Sequence, residues 1–288
     1  MAGRTFIMYA NPEVDSNILY ASGFLAPDPY IFVEVDGRKV MVMSDLEIDR
    51  AKAQSKANDV LSLSKLSETI TGPGKPLAPT ADIIAVLLKQ FKVKAAEVPF
   101  GFPVMLADAL RKKGFKLTPV AEPFFPERLL KTPGEIEFVA SVQARVELSM
   151  KAAALAFRSS IVKGGKLYLG GKPLTSEEVK KIINLALMTN NIVGAHTIVA
   201  CGDQGVDPHN EGQGQLYADL PIIIDIFPRS MDTMRMARSM LELAIVWMPQ
   251  AAASTLRASG LATCVSMPAR AASASSCIAP PRNQPGSR

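Results

Sequence analysis

A chain of 288 residues, 48% of them hydrophobic, is long enough for two domains with buried cores. Its formal charge of +5 sits almost wholly in 231–288, which holds six Arg, no Lys and only Asp232 and Glu242 as acids; 1–230 is left at +1, and so nearly neutral a body has no electrostatic footprint for nucleic acid. No apolar run reaches the roughly 18 residues of a membrane span, no signal-peptide pattern opens the chain, and three cysteines form neither a metal spacing nor a disulfide framework, so the expectation is a soluble cytoplasmic protein that engages no membrane.

Tyr30–Val35 and Arg38–Ser44 read as strands around Asp36-Gly37, a type I′ hairpin signal. Ser44-Asp-Leu-Glu47 reads as a capping box that opens a short helix. Thr80–Phe91 and Pro103–Lys113 are helical by spacing and alternate with strand-like runs at Ala96–Pro99 and Phe115–Val120. Strands alternating with helices predict an α/β domain over 1–122, and the proline-bearing run Pro119–Pro126 reads as a linker. Thr132-Pro-Gly-Glu135 then caps a long helix reaching about Arg158, with Pro133 at a tolerated first position.

Lys163–Lys172 is glycine-rich, but Pro173 stands where a phosphate loop needs Ser or Thr, so a hairpin is expected instead. Thr175-Ser-Glu-Glu178 is a second capping box, for a helix through Asn190. Gly194–Ser230 follows: an apolar strand, a polar turn with His209, and a second apolar strand, Pro221–Phe227, with Asp225 inside it. A carboxylate in such a strand must be metal-bound, paired or at the strand's end. His209 alone is compatible with a solvated surface histidine. His196 lacks a second ligand at helical or hairpin spacing and reads as a structural residue before the strand, and Cys201 as a packed strand residue rather than a nucleophile.

The segments TIVACG (Thr197–Gly202), DPHNEG (Asp207–Gly212) and IIIDIFPRS (Ile222–Ser230) together resemble the pita-bread metallopeptidases, in their Xaa-Pro aminopeptidase and prolidase branch. KTPGEIEF (Lys131–Phe138) is similar to that family's entry helix, and the resemblance covers roughly Met1 to Ser230. It implies an α/β (α+β) chain: a creatinase-like N-terminal domain with a mixed sheet and helices over 1–122, then the first half of a pita-bread catalytic domain over 123–230. It also implies peptide substrates with proline at the second position, and a pair of divalent ions (Mn, Co or Zn). His209 takes the family's substrate-contacting role and Asp225 that of the first metal ligand, the two facing one cavity.

The family's second metal-ligating Asp should follow in a Gly-Tyr-x-x-Asp segment, yet Met231–Met236 reads MDTMRM. Methionine has one codon, so part of the DNA beneath this segment is fixed. Read two bases downstream, Met231-Asp232 gives Gly, and the following codons are compatible with Tyr-His-Ala-Asp when Arg235 uses a CGN codon. The tail also holds no His, loses periodic pattern after about Met248, and has no acid in a family context. The expectation is a truncation or frameshift near Ser230 with an aberrant tail over 231–288, and a chain that is catalytically incomplete and holds its metals poorly. Two readings stand beside a working peptidase: a non-catalytic relative that binds peptides or forms a homodimer through its N-terminal domain, and a non-functional frameshifted fragment. The gene's nucleotide sequence through codon 230 separates a frameshift from a genuine extension.

Overall fold

Runs of β-branched and aromatic residues near the N-terminus become strands because both of their faces find cover. The computed structural model describes residues 4–230 and the strand 242–247, and the expected aberrant tail otherwise lies outside the described residues. The chain divides into two compact units that part between Thr132 and Pro133.

The first unit runs β1 (Phe6–Ala10), α1 (Ser16–Ser22), β2 (Tyr30–Val35), β3 (Arg38–Met43), α2 (Ile48–Gln54), β4 (Asp59–Ser62), α3 (Leu63–Thr71), α4 (Thr80–Gln90), β5 (Ala95–Pro99), α5 (Val104–Lys112) and β6 (Lys116–Val120). Its sheet has the order β4-β3-β2-β1-β5-β6, antiparallel at its β1–β2 and β2–β3 pairs and parallel elsewhere. This is the expected mixed sheet. Alternation sorts the side chains: Ile7, Val33, Val40 and Val42 join one core with residues of α4 and α5, while Phe6, Met8, Phe32, Met41 and Met43 join another with Ile18 and Ala51. Each such side chain contributes about 1.5–3 kcal/mol on burial. The β2–β3 turn is Asp36-Gly37, with φ of 49° and 86°, the pair of left-handed residues that a type I′ turn requires.

Two expectations change here. The predicted capping box at Ser44 does not cap a helix: Ser44–Glu47 is a turn, closed by Glu47 N–H donating to Ser44 O at 3.1 Å, and α2 begins only at Ile48. Of the two side chains a capping box uses, those of Ser44 and Glu47, the second is engaged elsewhere, as is that of Asp45 between them. Asp45 accepts hydrogen bonds from Ser62 Oγ (2.6 Å) and Ser64 Oγ (2.5 Å), and Glu47 is ion-paired with Arg50.

Pro119–Pro126 is likewise no linker. Pro119 lies in β6, an edge strand, where a missing N–H is tolerated. Phe124 and Phe125 are buried, each with its ring 5.5 Å from that of Phe6. The Arg4 guanidinium lies 4.0 Å over Phe124 and donates to its carbonyl at 2.8 Å, and Arg128 donates to Asn17 Oδ1 at 2.6 Å. These contacts carry the first unit past Glu122 to Thr132.

The second unit opens with α6 (Pro133–Arg158), then β7 (Ile161–Lys163), β8 (Lys166–Leu169), β9 (Lys172–Pro173), α7 (Ser176–Met188), β10 (Ile192–Cys201), β11 (Pro221–Ser230) and β12 (Glu242–Trp247). The glycine-rich run forms the expected hairpins: Gly164-Gly165 and Gly170-Gly171, all at positive φ, turn β7 into β8 and β8 into β9. Thr175 caps α7 by accepting from Glu178 N at 3.3 Å, as its sequence predicts. Val142, Val146, Met150, Ala153 and Phe157 make one stripe of α6 and Val179, Ile183 and Leu187 one stripe of α7, both buried in a core with Val199 of β10 and Ile222, Ile224 and Ile226 of β11. Sheet order is β10-β11-β12, so β11 lies between its neighbours. β12 falls inside the segment expected to be an aberrant tail.

Candidate functional site

β11 alternates strictly, which decides where Asp225 points. Ile222, Ile224 and Ile226 turn into the core with α6 and α7, so Asp225 takes the opposite face. There it pairs in register with Ile198 of β10 and with Leu243 of β12. Asp225 is 7% exposed, and its Oδ1 has no hydrogen-bond partner among the described residues. Burial pushes its carboxyl above the usual carboxylate range, and the Ile226 backbone N–H pulls it back only in part. Among the described residues it meets no cation, and it is not at the strand's end.

His209 sits on the long connection between β10 and β11. Asp207 Oδ1 accepts the His209 N–H at 3.1 Å and Asn210 Oδ1 accepts the Gly212 N–H at 2.9 Å, two Asx turns in succession. The His209 side chain itself is exposed. Gly212 (φ 75°) is obligatory, because a Cβ there would lie 1.9 Å from Val199 O. The loop is thereby laid against β10, with Val199 N–H donating to Glu211 O at 3.0 Å.

Contrary to expectation, His196 does not precede the strand. It lies inside β10, at the irregularity between Ala195 and Ile198, with φ of 54° and its side chain 84% exposed. Its Nδ1 meets Glu211 Oε1 at 3.0 Å. Cys201 is buried at the end of β10, and burial raises its thiol pKa, which suits packing rather than nucleophilic attack.

Sequence reasoning missed the groups of α7 that grip the same loop. Lys180 Nζ donates to Gly212 O (2.9 Å) and Glu211 O (3.2 Å). The Glu177 carboxylate accepts the Gly214 N–H at 3.0 and 3.2 Å, which holds its pKa low. The only signal for them was a capping box, which accounts for Glu178 and says nothing of its neighbours.

A cation is well suited to the orphaned Asp225 oxygen. A pair of divalent ions needs several oxygen ligands and an imidazole. Among the described residues no three His, Cys, Asp or Glu side chains gather as a metal-holding group, and His196, 3.0 Å from Glu211, is engaged at the loop. The described donors do not fit a two-metal centre.

No helix among the described residues is long and apolar enough to cross a membrane. No protein-family model and no curated protein matches the sequence, but solved structures match the fold. Prolidase from Pyrococcus furiosus aligns at 13% identity with a TM-score of 0.60, X-Pro aminopeptidase from Thermotoga maritima at 14% and 0.61, and Xaa-Pro dipeptidase from Bacillus anthracis at 10% and 0.64. Each alignment covers 85% of this chain but only 62%, 62% and 60% of the respective neighbour, so the chain spans about three-fifths of their length. At this identity the likeness is one of fold: the chain has the α/β architecture of the prolidases and Xaa-Pro aminopeptidases, with their N-terminal domain and the first part of their catalytic domain.

Proposed function

We propose that this chain is a relative of the Xaa-Pro peptidases that presents peptide-binding geometry without completing the hydrolytic centre. In this reading the turn at His209 contacts a peptide with proline at its second position. Asp225 stands where the first metal-ligating carboxylate belongs, and the two residues face one cavity. The setting is cytoplasmic, and self-association of the first unit into a homodimer belongs to the same reading. The observation that carries it is the buried carboxylate of Asp225, half satisfied, in the middle of β11. A fold needs no such group there, because the neighbours of Asp225 along β11, Ile222–Ile224 and Ile226–Pro228, are apolar and an apolar residue would pack without cost.

Hydrolysis requires more than this carboxylate. A nucleophilic water at neutral pH needs a metal held by several ligands. In this sequence His occurs only at 196 and 209, the first engaged with Glu211 and the second on an exposed turn. The purified 288-residue protein should therefore cleave Ala-Pro and Ala-Pro-Ala negligibly with manganese, cobalt or zinc supplied. Metal-dependent cleavage that Asp225→Ala abolishes would overturn this and establish a working peptidase. A soluble chain that unfolds cooperatively and perturbs its His209 resonance on adding Ala-Pro supports the peptide-binding reading over a non-functional fragment.

A further inference from the structure

We infer that Lys180 is a positioning residue for His209, a role that rests on the reading of His209 as the peptide contact. The connection from β10 to β11 runs from residue 202 to residue 220, long enough to wander unless it is tied. Its ties converge on the residues just after His209. The Lys180 ammonium reaches from α7 to the carbonyls of Glu211 and Gly212 at 3.2 and 2.9 Å. These are charge-assisted hydrogen bonds, about twice as strong as neutral ones. One turn earlier on the same helix, Glu177 takes the Gly214 N–H. From the other side, the bulge in β10 turns His196 outward to meet the Glu211 carboxylate.

Side chain and main chain of Glu211 are thus held by different elements. The peptide between Glu211 and Gly212 cannot swing toward β10, because Gly212 already sits against Val199 O. It cannot swing away without breaking the Lys180 and Val199 bonds to Glu211 O and the Gly212 N–H bond to Asn210. With that peptide fixed, the Asx turns at Asp207 and Asn210 transmit the constraint to His209. The exposed His196–Glu211 pair adds little; Lys180 shares the restraint with the Val199 N–H on Glu211 O and with the Gln204 amide, which bonds both the N–H and the carbonyl of Gln213.

Amide hydrogen exchange on the full chain tests this. Lys180→Met keeps the aliphatic stem and removes the donors, and Lys180→Arg keeps a cation. In Lys180→Met the amides of Val199, Gly212 and Gly214 should exchange about tenfold faster, the factor for losing one charge-assisted bond. Amides of α6 should keep their rates, and Lys180→Arg should restore most of the protection. Unchanged exchange in the loop overturns the positioning role, as does a uniform rise across the second unit. A parallel titration with Ala-Pro reads the His209 ring resonances. The wild type should respond and Lys180→Met should respond several-fold more weakly. A loosened loop in Lys180→Met, joined to a wild type whose His209 ignores Ala-Pro, overturns the peptide-contact reading and leaves the clamp standing.

Discussion

Replacing Asp225 with Asn separates the charge at the centre of β11 from its shape. The carboxyl is 7% exposed and its Oδ1 has no partner among the described residues. Burial raises its pKa above the ordinary value. Between the unfolded and the folded pKa, the native chain holds a proton that the unfolded chain has released. Stability therefore falls as pH rises through that window, and the loss is complete above the folded pKa. Leaving a buried polar group unsatisfied costs about 1–3 kcal/mol, and more when it is charged. Asp225→Asn should thus be the more stable protein near neutral pH by about 1–3 kcal/mol. For the roughly 100 described residues of the second unit this raises Tm by about 4–8 °C per kcal/mol. Asp45, Asp59 and Glu177 titrate the other way: hydrogen bonds from Ser62, from Arg38 and from the Gly214 backbone lower their pKa values. Both proteins therefore lose stability in acid, and the readout is the difference between them. Melts in EDTA should show that difference near zero at about pH 3 and growing toward neutrality. A variant less stable than wild type at neutral pH, or a difference that ignores pH, would refute the reasoning.

Gly212→Ala should destabilise the second unit by roughly 3 kcal/mol or more, since the new Cβ would meet Val199 O at 1.9 Å on a residue with φ of 75°; urea titration gives the number, and a loss below about 0.5 kcal/mol would show that the loop does not dock on β10. A fragment ending at Thr132 should fold cooperatively, while one ending at Glu122 should not. The shorter one lacks Phe124 and Phe125, each worth about 3–5 kcal/mol to a core, and equal melting curves for the two would restore the boundary at Glu122.

What the sequence made legible followed from local rules. The β2–β3 hairpin needed only Asp36-Gly37, and α7 only its Thr175 cap. The stripe of α6 is carried by residues spaced three and four apart, and β11 reads as a strand from the isoleucines on either side of Asp225. What it hid depended on distant partners. Ser44–Glu47 has the letters of a capping box, but Glu47 is taken by Arg50, which also reaches back to Leu25 O. Pro119–Pro126 has the prolines of a linker, but Arg4 and Phe6, more than a hundred residues earlier, hold its phenylalanines. Within the site, Asp225 stood out as a charge in an apolar strand. Lys180 did not, because a lysine on an amphipathic helix is ordinary until the carbonyls it meets are known.

The two halves of the candidate site differ in how much of their geometry the chain itself enforces. The His209 turn is over-determined: two Asx turns, a glycine that admits no side chain, a lysine on two carbonyls and a glutamate on a backbone amide all act within eight residues. Asp225 is under-determined, held in place by its strand and answered by one backbone N–H. A turn of that rigidity has little to gain for folding alone, since surface connections tolerate looseness. Its order makes physical sense where a ligand must be met by a group already in place, which removes the ordering cost from binding. Among the described residues Asp225 gains nothing comparable, and its burial is relieved by a proton or by a cation. On the proposed reading the peptide contact is the better-ordered half of the site, so peptide binding should survive EDTA; binding that vanishes on chelation would place the metal, not the turn, at the centre of recognition.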